Sequence, residues 1–123
     1  MNSVMQLPVT QEMLHNYLHG LIGRFFKILP IRETNGETLQ AYMESLQMEL
    51  IGFKSLMTMI QNDQRMLSLI STLQYLIDTP DCEIPVVKRE VFRSISLCQA
   101  LDADYGFVSK VDGGASNEPL GDL

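Results

Sequence analysis

Histidine and cysteine are scarce in this 123-residue sequence, which has two of each. The patterns G-x-x-x-x-G-K, G-x-G-x-x-G and G-x-S-x-G are absent, so the sequence shows no phosphate-binding loop, dinucleotide-binding turn or nucleophile elbow. A nucleophile–base triad would need His15 or His19, and no nucleophile is marked out for either. We therefore expect a protein that is not an enzyme and that needs no cofactor.

Export and membrane signals are lacking as well. The segment Met1 to Gln11 has no basic stretch followed by an apolar core, so we expect no secretory signal. The most apolar stretches are interrupted by charged or polar residues before they reach the ~20 residues that a membrane span requires. Cys82 and Cys98 form no C-x-x-C pair. The sequence thus predicts two free thiols in a reducing cytosol, and a cytoplasmic protein without a membrane partner.

Positive charge is in the minority. Nine Lys and Arg stand against fifteen Asp and Glu, which gives a net charge of −6. Binding to DNA, RNA or anionic lipid depends on cationic side chains that displace counterions, so we do not expect direct contact with nucleic acid. Protein partners and small molecules are compatible with this acidic composition.

The strongest pattern that is present is an apolar seam of helical spacing. Its residues recur at alternating steps of four and three, as in the contact face of a helical bundle. They are Leu39, Met43, Leu46, Leu50, Phe53, Met57 and Ile60. The pattern predicts one long helix that packs against other helices.

Prolines and turn-prone residues divide the rest of the chain. We expect helices from about Gln11 to Leu29, through the seam, from Asp63 to Ile77, and from about Pro85 to Ala103. Pro30 is predicted to end the first helix and to open a linker that reaches Gly36.

Two helix starts carry capping patterns. Thr34 and Glu37 fit a capping box at the start of the seam helix, although Asn35 is an alternative cap. Asp63 is expected to cap a new helix after a break, with a bent continuation of the seam helix as the alternative interpretation. The expected fold is all-α, with three or four helices in a mainly antiparallel bundle. Residues 1–105 form the predicted helical domain, and residues 106–123 are expected to be a flexible or docked C-terminal tail.

The seam helix has a second face without charged residues. Opposite the seam lie Met48, Ile51, Gly52, Ser55 and Met59. A helix that is apolar or small on both faces is either central in its fold or buried against another molecule. The second interpretation predicts a partner-binding surface at Met48, Ile51, Ser55 and Met59, supported by Ile22 and Phe26. The eight methionines suit such an adaptable contact surface.

Glu12, His15 and His19 resemble a metal site. Spacings of three and four place them on one side of the first helix, and imidazole with carboxylate suits zinc or iron. Further ligands would have to come from elsewhere, such as Cys82, Cys98 or Glu44. The alternative is that both histidines lie half exposed at the flank of the helix and bind nothing.

Two weaker patterns lie in the last third of the chain. Lys88, Arg89 and Arg93 could bind an anion or an acidic partner, or they could form a solvated face neutralised by nearby acidic residues. Asp102-x-Asp104 resembles the start of a calcium loop, but glycine and glutamate are missing from the required positions, so we reject that site.

These observations favour a non-enzymatic helical protein that acts by protein–protein interaction, as a regulatory or adaptor module and as a homodimer. One alternative is a metal-binding helical protein that uses Glu12, His15 and His19. Another is a regulator or inhibitor of a nucleic-acid-processing complex.

Overall fold

The computed structural model describes the backbone of residues 3–106 and the side chains of residues 10–106. Four long helices and one short helix occupy almost all of it, and this part of the chain contains no β-strand. The helices are α1 (Ser3–Phe26), α2 (Ile28–Thr34), α3 (Gly36–Leu56), α4 (Gln64–Asp78) and α5 (Ile84–Tyr105). The predicted all-α fold is confirmed. Of the predicted tail at 106–123, residues 107–123 lie outside the described residues.

The long helices form an antiparallel bundle in which α1 packs against α5, α5 against α4, and α4 against α3. On the first of these pairs, His15 contacts Asp102 near one end, and Phe26 contacts Phe92 nearer the other. Residue numbers rise along α1 while they fall along α5, so the two helices run in opposite directions.

The other neighbouring helices are also antiparallel, because residue numbers rise along one helix of each pair while they fall along the other. The contacting residues are Gln47–Ile70 and Gln40–Ile77 for α3 and α4, Arg65–Asp104 and Arg93–Thr72 for α4 and α5, and Tyr17–Phe53 and Arg24–Glu49 for α1 and α3. The predicted antiparallel bundle is therefore confirmed, with an up-down-up-down arrangement of its long helices.

The apolar seam fills the centre of this bundle. Six of its seven residues are buried, and Leu50 and Ile60 are completely inaccessible. The seventh, Phe53, is partly buried because its ring stacks on the ring of Tyr17, with 3.8 Å between the ring centroids. Each fully buried leucine or isoleucine stabilises the fold by about 1.5–3 kcal/mol relative to exposure.

Two predicted boundaries near the first helix are wrong. α1 begins at Ser3 and includes Pro8, rather than starting near Gln11. Proline fixes φ at a helical value, although within a helix it lacks the N–H of one backbone hydrogen bond and crowds the preceding turn. Pro30 does not open a linker, because it lies in the first turn of α2. The first four N–H groups of a helix have no partner within the helix, so a proline costs little at this position.

The cap of α3 also differs from the expected capping box. Thr34 ends α2 and donates its hydroxyl hydrogen bond to the carbonyl oxygen of Pro30 at 2.7 Å. Asn35, the alternative weighed from the sequence, occupies the N-cap position, although its side chain makes no capping hydrogen bond. The prediction of a Thr34–Glu37 capping box is therefore wrong.

The break after the seam helix is confirmed. α3 ends at Leu56, so the seam helix is shorter than predicted, and Met57 and Ile60 lie in the connection. α4 begins at Gln64 with Asp63 as its N-cap. The Asp63 carboxylate accepts a hydrogen bond from the backbone N–H of Arg65 at 2.8 Å, as an N-cap aspartate should. The two segments are thus separate helices rather than one bent helix. Within residues 3–106, no helix combines the length and the apolar character that crossing a membrane requires.

Candidate functional site

Three potential metal ligands meet where α1 packs on α5, and we call them the His15–His19–Asp102 cluster. Nδ1 of His15 lies 2.7 Å from Oδ1 and 3.0 Å from Oδ2 of Asp102. Nε2 of His19 lies 3.7 Å from Oδ2 of the same carboxylate. Each of the three residues offers one potential ligand atom, and these three atoms all lie within 4.8 Å of one another.

Helix geometry explains why these side chains converge. His15 and His19 lie one turn apart on α1, and their ring centroids are 4.2 Å apart. Asp102 lies in the last turns of α5, which runs antiparallel to α1. His15 and Asp102 are about one-fifth exposed, whereas His19 is 63% exposed, so one side of the cluster opens to solvent.

The structure brings together only part of the ligand set predicted from the sequence. Both histidines belong to the cluster, but Glu12 does not, because its exposed side chain lies one turn earlier on α1 while the carboxylate beside His15 comes from α5. Cys98 does not belong to the cluster either; it is fully buried in the core, and this burial raises the pKa of its thiol to about 12. The structure records both Cys82 and Cys98 as free cysteines.

Asp102 is the member of the cluster that the sequence did not connect with the two histidines. It was considered only as part of a rejected calcium loop, together with Asp104. It lies 87 residues from His15, so no local spacing could have connected the two. The one signal in the sequence was the helical periodicity, which predicts that the first and last helices each have a buried face but does not show that these two faces meet.

The second candidate is the outer face of α3, which comprises Met48, Ile51, Gly52, Ser55 and Leu56. Met48 is 74% exposed and Ile51 is 47% exposed, while Gly52 and Ser55 are exposed between them. Leu56, which the sequence analysis did not include, is 81% exposed. The face therefore points away from the bundle, whose core lies under the opposite side of the same helix.

The other predicted partner residues do not join this face. Met59 follows the end of α3, is partly buried and packs against the core. Ile22 also packs on the core, and the exposed ring of Phe26 makes an edge-on contact with Phe92, with centroids 5.7 Å apart. Phe26 thus lies between α1 and α5, whereas α3 and α5 are diagonal and do not pack on each other.

Two of the three cations near the start of α5 form ion pairs with the same carboxylate. Arg89 and Arg93 each form an ion pair with Glu90 at 3.2 Å, and Arg93 also donates to the hydroxyl of Thr72. Lys88 is exposed and has no polar partner among the described residues. This arrangement favours the solvated-face interpretation over an anion site.

No protein-family model matches the chain, and no curated protein or solved structure is significantly similar to it. Function is therefore inferred from the cluster and from the outer face of α3.

Proposed function

We propose that the protein is a non-enzymatic interaction module that associates as a homodimer through the outer face of α3. The observation that carries this proposal is the exposure of Met48, Ile51 and Leu56 on one face of a helix whose opposite face is already buried. Single exposed apolar side chains are ordinary, but three large ones within nine positions of one helix form a patch that water solvates poorly.

A second copy of the same helix fits this patch. If two copies of α3 pair antiparallel about a twofold axis near Ile51, Met48 of one copy faces the region of Ser55 of the other. Leu56 then faces the region of the exposed Ser45. Large side chains thus oppose small ones, as a self-complementary twofold interface requires. A Cβ built on Gly52 meets nothing within 4 Å, so this position leaves room for a partner.

The expected dimer is reversible rather than permanent. α3 has 21 residues and is about 30 Å long, so one outer face offers a few hundred Å². Standard interfaces bury about 800 Å² per partner. Each copy also carries a net charge of −6, so two copies repel each other and salt should strengthen their association by screening.

The free thiols Cys82 and Cys98 support a reducing compartment for this module, and we propose that it acts in the cytoplasm. Its biological role is then regulatory or adaptor-like, exerted through association with protein.

Sedimentation velocity over a range of protein and salt concentrations tests the homodimer. We expect a monomer–dimer equilibrium that shifts towards dimer with concentration and with salt. The double variant M48E/I51E should remain monomeric at every concentration, because it places two charges at the centre of the interface. The matched control is Leu67→Glu on α4, where a 42% exposed leucine lies on another helix; it should dimerise like the wild type.

Circular dichroism on the same samples separates association from folding. M48E/I51E should keep the helical signal of the wild type, since both side chains are exposed. A wild-type chain that stays monomeric throughout would refute the proposal. So would an M48E/I51E variant that dimerises normally, or one that unfolds, since unfolding would make these side chains part of the core.

A further inference from the structure

We propose that His15, His19 and Asp102 bind one divalent transition-metal ion, with Zn²⁺ as the probe that tests it. This site is independent of the homodimer, because its residues lie on α1 and α5 and the proposed interface lies on α3.

The donor set has the chemistry of a known type of metal site. Two imidazole nitrogens and one carboxylate oxygen are the three protein ligands of many zinc sites that keep a fourth position for water. The same set also holds non-haem Fe²⁺ when it occupies one face of an octahedron. Glutamate or aspartate without imidazole would favour Mg²⁺ or Ca²⁺, so the two histidines decide in favour of a transition metal.

The separations fit an ion at the centre of the cluster. Ligand atoms about 2.0–2.1 Å from one ion lie roughly 3.0–3.4 Å from one another. The observed nitrogen-to-oxygen distances run from 2.7 Å for His15 to 3.7 Å for His19. An ion would replace the 2.7 Å hydrogen bond between His15 and Asp102. Small rotations of the side chains would then bring both nitrogen-to-oxygen distances into the range of about 3.0–3.4 Å.

The backbone under the cluster is held by the core. Leu14 and Leu18, which flank His15 on α1, and Leu101, which precedes Asp102 on α5, are fully buried. The ligand-bearing segments are therefore fixed by packing, and only side-chain torsions need to adjust when an ion binds. The exposure of His19 leaves the solvent side of the ion open to water or to an exchangeable ligand.

A simple ion pair between His15 and Asp102 is the competing interpretation of the same geometry. It requires only those two residues, and it gives exposed His19 no role. Metal binding instead requires all three residues together, so the loss of His19, which the ion pair does not need, separates the two interpretations.

Isothermal titration of the untagged, chelator-treated full chain with ZnCl₂ tests the site, and the visible absorption of Co²⁺ gives a second readout of ligand geometry. We expect one ion per chain. The variants His19→Ala and Asp102→Asn should each lower affinity at least about tenfold, since even losing a residue that supports a ligand costs 10–100-fold.

Glu12→Gln is the matched control, because it removes a carboxylate from the same helix outside the cluster. It should bind Zn²⁺ with wild-type affinity, and so should the M48E/I51E variant, whatever its oligomeric state. Circular dichroism verifies that the variants are folded. Wild-type protein that binds no ion, or a folded Asp102→Asn or His19→Ala variant that binds as tightly as the wild type, would overturn the proposal.

Discussion

The carboxylate of Asp102 occupies the space in which a side chain on Gly106 would lie. A Cβ built on Gly106 is 2.0 Å from Oδ1 and 2.8 Å from the backbone carbonyl oxygen of Asp102. That carbonyl accepts the N–H of Gly106 at 2.8 Å, which closes the last turn of α5. Gly106 has φ −73° and ψ 156°, which any residue can adopt, so the demand for glycine is steric. The small residue leaves the carboxylate free to face His15.

Replacing Gly106 by alanine should therefore weaken metal binding without touching a ligand. The added methyl group forces Asp102 or the end of α5 to move, which separates its carboxylate from the two histidines. Titration with Zn²⁺ should show an affinity at least about tenfold below that of the wild type.

Gly23→Ala is the control, because a Cβ there meets nothing within 4 Å and the residue lies within α1. It should leave Zn²⁺ affinity unchanged and stabilise the fold by about 0.5–1 kcal/mol through helix propensity. Wild-type affinity in Gly106→Ala would show that the position of Asp102 at this helix end does not control the ion.

Local patterns in the sequence were enough to predict the bundle, because the interactions behind them are local. The spacing of the seam from Leu39 to Phe53 follows the helical repeat of α3, and every seam residue except Phe53 is buried, including Met57 and Ile60 in the turn after the helix. The cap at Asp63 depends on a residue only two positions away. Pro30 misled the prediction because proline is tolerated in the first turn of a helix, and only the three-dimensional structure shows where that turn begins.

The candidate metal site shows where such patterns stop being informative. His15 and His19 were found because they share one helix, whereas Asp102 reaches them only through the packing of α1 on α5. Glu12 had the right spacing along the helix, but spacing does not reveal which side chain faces a neighbouring helix. Leu56 lay within the predicted seam helix but was not assigned to its outer face, and only the structure shows that it is 81% exposed there.

The ion pair at the start of α4 should make stability depend on pH in the acid range. Hydrogen bonds from the Arg65 side chain hold the pKa of Asp63 well below its usual range, and the Arg65 backbone N–H adds to this. A carboxylate with a lowered pKa in the folded state stabilises the protein above its unfolded pKa of about 3.9. That contribution is lost as the pH falls through the lower folded-state value.

Asp63→Asn tests this contribution, because asparagine caps helices as well as aspartate does but carries no charge. Urea unfolding should show the wild type more stable at pH 7, with the difference shrinking as the pH falls below about 4. Glu44→Gln, which removes an exposed carboxylate on α3, is the control and should change the free energy of unfolding only slightly. A constant gap between wild type and Asp63→Asn from pH 7 to pH 2 would contradict the assigned role of Arg65.

A buried hydroxyl group on α5 should cost the protein stability. Ser94 is completely inaccessible, and among the described residues its Oγ has no hydrogen-bond partner. The nearby buried hydroxyl of Thr72 differs, because it accepts a hydrogen bond from Arg93 at 3.2 Å. An unpaired hydroxyl that has left water without compensation costs roughly 1–3 kcal/mol. Ser94→Ala removes that cost and leaves a gap of only one oxygen atom.

Urea unfolding of Ser94→Ala should therefore show a free energy of unfolding about 1 kcal/mol or more above that of the wild type. Part of any gain comes from the higher helix propensity of alanine. Ser96→Ala measures that part separately, since Ser96 is exposed on the same helix and its hydroxyl is solvated. The gain in Ser94→Ala should exceed the gain in Ser96→Ala. An equal gain, or a loss of stability in Ser94→Ala, would mean that the Ser94 hydroxyl is paired in solution, for example with an internal water molecule.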